Sequence, residues 1–142
     1  MENKPTQQTY FVGTLILSVI AIILVLFTDW AGYYYGGYVY EEWGWIYLFT
    51  WAGFIPLILF ITIFSFVAYI SYLGLRTPDR LSDQFILYGL WGSIIIVIVN
   101  IFGLILFGIW ASDSDWWTDA AFYASFIGGL LNSIFFYLIR KD

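Results

Sequence analysis

Four long runs of uncharged, mainly apolar residues alternate with short polar segments along this chain of 142 residues. The runs cover residues 5–28, 43–75, 84–112 and 120–139. A helix needs about 20 apolar residues to cross a bilayer core of about 30 Å, whereas a barrel strand would be shorter and would alternate with a period of two. The pattern therefore predicts an all-α integral membrane protein, a four-helix transmembrane bundle that forms one domain over residues 1–142. The four spans are expected at about residues 10–28, 45–75, 85–111 and 120–139.

The composition narrows the function classes. With 62% hydrophobic and 11% charged residues, the chain is too apolar for a soluble domain and too short for two membrane domains. It contains no cysteine, which excludes disulfides and thiolate metal sites. It contains no histidine, which excludes imidazole as a general base or as a haem ligand. We therefore expect no cofactor, no metal site and no enzymatic activity.

The charged residues divide between the two sides of the predicted membrane. The basic residues lie before the first run, between the second and third, and after the fourth: Lys4, Arg76, Arg80, Arg140 and Lys141. The other two connections carry only acidic charges, from Asp29, Glu41, Glu42, Asp113, Asp115 and Asp119. Because loops rich in Lys and Arg stay in the cytoplasm, we expect a multi-pass protein of the cell membrane with both termini cytoplasmic. The acidic outer face argues against nucleic acid as a partner, which leaves the lipid bilayer and other membrane subunits, or copies of this chain.

Small residues recur on one side of the fourth span. They form two adjacent rows, Ala121, Ser125, Gly129 and Ser133 in one and Ala120, Ala124, Gly128 and Asn132 in the other. The first span has a shorter stripe at Thr14, Ser18 and Ala21. Small side chains let helix backbones approach closely, so these rows predict helix packing, either within the chain or against a second subunit.

Asn100 and Asn132 are the only amides inside the four predicted spans. Counting residues from the helix ends places both near the middle of the bilayer at similar depth. We expect them to hydrogen-bond each other or a nearby backbone carbonyl. The alternative is a polar site for a substrate or an ion.

The first outer loop predicts a β-hairpin, because the pair Gly36-Gly37 is flanked by strand-favouring residues and glycine accepts the positive φ of a two-residue turn. In that register Tyr35 faces Tyr38 and Tyr33 faces Tyr40. Alternation then places these four tyrosines on one face. A hairpin alone is marginal, so it should lie on the membrane surface, the second outer loop or another protein. Three uses of the tyrosine face stay open: interfacial anchoring or intramolecular packing, a protein contact, and carbohydrate or other ligand binding.

Seven of the eight tryptophans lie in the outer loops or at the outer ends of the spans, more than an aromatic belt shared by both interfaces requires. We therefore add Trp43, Trp116 and Trp117 to the candidate outer contact surface. In the second outer loop, Asp115, Thr118 and Asp119 are expected to cap the fourth helix rather than to bind a cation.

The predicted path, with its β-prone first outer loop, resembles the tetraspan layout of claudin-type proteins. The resemblance covers topology only. The Gly-Leu-Trp sequence and paired cysteines of that family's first outer loop have no counterpart there: Gly89-Leu90-Trp91 lies in the third span, and cysteine is absent. Small multidrug transporters also have four short helices, but they carry a carboxylate in the first span, and this first span has none.

Together these patterns favour a structural or accessory membrane protein that acts through helix packing and outer aromatic contacts, in a homo-oligomer or a larger complex. Buried charges usually mark ion and proton pathways, and the spans contain none. The alternative is a pore-forming or transporter subunit with an uncharged polar lining from Thr14, Ser18, Thr62, Ser65 and Asn100.

Overall fold

The computed structural model describes residues 4–42 and 51–142 and contains four long helices in this part of the chain. They are α1 (Pro5–Phe27), α2 (Trp51–Arg76), α3 (Asp83–Trp110) and α4 (Ala120–Lys141). Three short strands lie between them, β1 (Ala31–Tyr35), β2 (Tyr38–Glu42) and β3 (Asp115–Thr118), and a 3-10 turn, Pro78–Arg80, connects α2 to α3. Each of these four helices is long and apolar enough to cross a membrane, as the hydropathy pattern predicted.

Two helices begin earlier than their predicted spans. α1 starts at Pro5, because proline suits the first helical position and the polar residues that follow continue the helix in water or headgroups. α3 starts at Asp83, with the Ser82 hydroxyl accepting a hydrogen bond from the Phe85 amide at 3.4 Å. The part of the second span predicted over residues 45–50 lies outside the described residues.

The helices form an antiparallel ring in which α1 packs between α2 and α4, and α4 packs between α1 and α3. The contact between α2 and α3 is thinner. We call the end that carries the strands the sheet end, and the end with the α2–α3 connection the turn end. At the turn end the first and last helices meet: the Gln7 side chain donates to the Ile139 carbonyl, and the Lys4 ammonium donates to the Asp142 carbonyl, both at 3.2 Å.

Phenylalanine rings close the turn end against glycine backbones. Phe11 is fully buried, and a Cβ added at Gly74 would lie 2.6 Å from its ring. Phe136 is also fully buried and covers Gly89 of α3 in the same way, at 2.8 Å. These contacts leave no room for a side chain on either glycine, so the helices approach closely there.

Exposed aromatic side chains form a belt near each end of the bundle. On α3, Tyr88 and Trp91 are 54% and 57% exposed near the turn end, and Trp110 is 63% exposed at the sheet end. The helix rises by about 33 Å from Tyr88 to Trp110, close to the thickness of a bilayer core. Tyrosine thus supplies much of the turn-end belt, although tryptophan is concentrated at the other end.

Candidate contact surface at the sheet end

The first outer loop folds as the predicted hairpin. β1 and β2 are antiparallel, with Tyr35 opposite Tyr38 and Tyr33 opposite Tyr40. Gly36 and Gly37 have φ values of 61° and 87°, a left-handed conformation that residues with a Cβ adopt at a steric cost. The Gly-Gly pair therefore sets the register that places the tyrosines on one face.

A third strand, which the sequence analysis missed, completes the sheet. β3 pairs antiparallel with β1 in the order β2-β1-β3, with Trp116 opposite Tyr33 and Trp117 opposite Gly32. The second outer loop is therefore the neighbour that the hairpin meets. The available signal was the strand-favouring sequence Trp116-Trp117-Thr118, but four residues are too few to show alternation.

The predicted capping of α4 is correct for one residue of three. Asp119 is the N-cap, and its carboxylate accepts a hydrogen bond from the Ala120 amide at 2.8 Å. Asp115 and Thr118 instead lie in β3. Pairing with β1 satisfies their backbone groups in place of the helix.

Trp30 fixes the sheet to the bundle. It is only 4% exposed, and its indole N–H donates to the Asn100 side-chain oxygen at 2.9 Å. Its ring meets Phe122 edge-on at 5.3 Å. Its backbone carbonyl accepts a hydrogen bond from the Asp119 amide at 2.8 Å, so one residue ties together β1, α3 and the start of α4. This indole combines a large apolar contact with a satisfied polar group, an arrangement suited to buried tryptophan.

The two amides are not paired with each other, and the expectation of similar depth is wrong. The Asn100 oxygen also accepts from the Ser125 hydroxyl at 3.1 Å, and its amide nitrogen donates to the Ile96 carbonyl, the alternative partner that was expected. Asn132 donates to the Ser18 hydroxyl at 3.0 Å. Because Asn100 is level with Ser125, it lies seven residues, about 10 Å, from Asn132 along α4.

Asn132 also retains an unsatisfied atom. Its side-chain oxygen is buried and has no hydrogen-bond partner among the described residues.

Aromatic packing holds one face of the sheet against the end of α3. Tyr33 stacks on Tyr40 with ring centres 5.1 Å apart and meets Trp110 edge-on at 5.0 Å. Trp116 lies over Gly108, where an added Cβ would be 2.9 Å from its ring. Offset and edge-on arrangements are the favoured geometries of aromatic pairs.

The hairpin tip on the same face stays exposed. The exposed fractions of Tyr35, Tyr38 and Tyr40 are 64%, 69% and 43%. Trp117 lies on the opposite face and covers Gly32, where an added Cβ would be 2.5 Å from the indole. The predicted contact residue Trp43 lies outside the described residues.

Most of the small residues of α4 face other helices of the same chain. Five of the eight residues in the two rows are buried, Ala121, Ser125, Gly128, Gly129 and Asn132, and the other three are half-buried, Ala120, Ala124 and Ser133. A Cβ at Gly129 would lie 3.1 Å from the Ser93 carbonyl oxygen of α3, and one at Gly128 would lie 3.4 Å from the Phe64 ring of α2. The sequence left open whether these small residues pack within the chain or against a second subunit. At Gly128 and Gly129 they pack within the chain.

The five candidate pore-lining residues do not share one surface. Thr14, Ser18 and Asn100 are buried, and the Thr14 hydroxyl lies 2.6 Å from that of Ser71 on α2. Thr62 and Ser65 are exposed on the outward side of α2. Within one chain, the buried hydroxyls and amides join helices to one another.

A shallow polar depression of about 370 Å³ lies between the hairpin tip and the second outer loop. It contains the carboxylates Asp113 and Asp115 beside Tyr34. Among the described residues, no three acidic side chains come together as a metal site.

Comparison of the chain with protein-family models, with curated proteins and with solved structures finds no match. Function is therefore inferred from the residues of the sheet end.

Proposed function

We propose that this chain is an accessory multi-pass membrane protein that binds another membrane protein through the exposed tyrosines of its hairpin. The surface consists of Tyr35, Tyr38 and Tyr40, all at least 43% exposed. Tyrosine is enriched in protein interfaces because it combines a large apolar ring with a polar hydroxyl. The tyrosine rings of the hairpin therefore form a contact area that stays exposed in the folded chain.

The anchoring of Trp30 is the observation that carries this proposal. A loop that serves only as a connection needs no buried hydrogen bond to α3, yet Trp30 and Asn100 make one at 2.9 Å. A surface held in one conformation loses less entropy on binding than a loose loop does. The sheet end therefore has the features of a preorganised interface.

The proposal includes an orientation. All five basic residues lie at the start of α1, around the α2–α3 connection or at the end of α4. This distribution supports a cytoplasmic turn end in a cell membrane, with both termini inside. The sheet would then face outward. The partner is another membrane subunit or a further copy of this chain, and the proposed role requires no cofactor and no catalysis.

Photo-crosslinking in the native membrane tests the contact. A photoreactive amino acid replaces Tyr38, and in a matched variant it replaces Tyr137, which is 58% exposed at the turn end. We expect the Tyr38 position to capture one discrete protein and the Tyr137 position to capture lipid. The captured protein should no longer co-purify with a variant carrying Tyr35→Ser, Tyr38→Ser and Tyr40→Ser, in which Tyr33 keeps its packing on α3. Unchanged co-purification with this triple variant would overturn the proposal.

A pore formed between several copies is the second candidate. The observation that favours it is the exposure of the Thr62 and Ser65 hydroxyls in the middle of α2, since hydroxyl linings conduct without charged residues. Solute or ion flux through vesicles containing the purified protein would support it, and silent vesicles would count against it.

A further inference from the structure

A groove of about 320 Å³ runs along the outer surface between α1 and α4, in the half of the bundle nearer the sheet. Its floor consists of small residues, with Ala21 and Gly128 buried and Ala124 half-buried. Its rims are larger, and Ile20 and Ile127 are 49% and 48% exposed. Small side chains below and branched ones on both sides produce a linear depression.

The groove is closed toward the centre of the bundle and extends toward the sheet end, where Ala120 and Tyr123 line it. A Cβ added at Gly128 would lie 3.5 Å from that of Ala21, so the two helices are nearly in contact at this level. One turn farther, the hydrogen bond from Asn132 to Ser18 holds α4 against α1. An occupant would therefore extend from this level toward the sheet end.

The groove is long enough for one apolar chain. From Ala120 to Gly128 the helix rises by about 12 Å. A single chain of methylene groups fits, because its carbons contact their neighbours at about 3.5–4.0 Å.

The charge at the sheet end of the groove selects the headgroup. Asp119 begins α4, and the carbonyl of Asp29 accepts a hydrogen bond from the Ala121 amide at 3.1 Å, which places both acidic residues at the head of the groove. The two connections at this end contain no Lys or Arg. Carboxylates attract an ammonium group and repel a headgroup with only negative charge.

We propose that this groove binds one acyl chain of an ammonium-bearing phospholipid, with the headgroup beside Asp119. The site is separate from the tyrosine surface and does not depend on the proposed protein contact. It also accounts for the second row of small residues on α4, since Ala120 and Ala124 line the groove.

Photolabelling in lipid nanodiscs tests the acyl chain. The probe is a phosphatidylcholine with a diazirine in the middle of one chain, and labelled positions are mapped by mass spectrometry. The variant Ala124→Phe fills the groove, and Ile134→Phe adds a ring on the same helix at a position 45% exposed outside the groove. We expect labelling within residues 17–24 and 120–128 to fall about fivefold in Ala124→Phe, because the ring occupies the site, and to stay unchanged in Ile134→Phe.

A headgroup comparison tests the role of the acidic residue. Asp119→Asn removes the carboxylate charge and keeps a helix-capping side chain. We expect wild-type protein to be labelled more by phosphatidylcholine than by phosphatidylglycerol with the same chains, and Asp119→Asn to reduce that preference about twofold to fivefold. Equal labelling by both lipids in the wild type would overturn the headgroup assignment.

Three other outcomes overturn the acyl-chain assignment. They are labelling in proportion to exposure over all helices, equal loss in both phenylalanine variants, and crosslinking of the groove to a second copy. If circular dichroism shows that Ala124→Phe is misfolded, Ala120→Val replaces it, because two added methyl groups narrow the same groove at less steric cost.

Discussion

The two ends of this bundle are closed by different interactions. At the turn end, buried rings lie against glycine backbones, with Phe11 on Gly74 and Phe136 on Gly89. At the sheet end, hydrogen bonds from Trp30 and Ser125 converge on the oxygen of Asn100. Ring packing requires complementary shapes and joins helices without fixing the orientation of an exposed surface. Directional hydrogen bonds fix an orientation. At the turn end they join the start of α1 to the end of α4, whereas at the sheet end they hold Trp30, the residue just before the aromatic hairpin.

The difference predicts that Trp30 is the most sensitive position. Trp30→Ala removes a buried ring and leaves the Asn100 oxygen with one donor fewer, so we expect a loss of about 3–5 kcal/mol in the free energy of unfolding. Trp91→Ala, at a position 57% exposed, is the control and should cost less than about 1 kcal/mol. Unfolding in mixed micelles, followed by circular dichroism, measures both. Equal losses would show that Trp30 does not anchor the sheet.

A methyl group added at each end should act unequally. Gly74→Ala places its Cβ against the fully buried Phe11, which has no space to move, so we expect a loss of about 1–3 kcal/mol. Gly32→Ala places its Cβ against the half-buried Trp117, whose ring can shift outward. The loss there should be smaller, although the added Cβ starts equally close. A larger loss at Gly32 would mean that the sheet end is packed more rigidly than its exposure indicates.

The smallest effect is expected for Asn132, whose oxygen has no partner among the described residues. Asn132→Leu removes one hydrogen bond and one unsatisfied atom together, so we expect a change below about 1 kcal/mol in either direction. Asn100→Leu leaves the buried Trp30 N–H without its acceptor and should cost about 1–3 kcal/mol. Comparing the two free energies of unfolding shows whether the Asn100 amide, whose oxygen accepts from Trp30 and Ser125, contributes more to stability than the Asn132 amide does. A large loss for Asn132→Leu would indicate a further bound group at its oxygen.

The four spans and the hairpin register follow from the sequence because their causes are local. Hydropathy over about 20 residues decides a span, and the glycine pair at positions 36 and 37 decides the turn. The face shared by Tyr33, Tyr35, Tyr38 and Tyr40 then follows from strand alternation. None of these features requires knowledge of a distant residue.

The contacts between distant segments required the tertiary structure. β3 pairs with β1 across about 80 residues of chain, and neither strand alone indicates the other. Asn100 and Asn132 took separate partners because the offset between α3 and α4 depends on the whole connection, which helix lengths alone do not give. The groove between α1 and α4 likewise exists because two helices meet at Gly128 and leave Ala120 and Ala124 uncovered. Local chemistry determined the elements of this protein, and packing between them decided which polar groups are satisfied and which surfaces stay open.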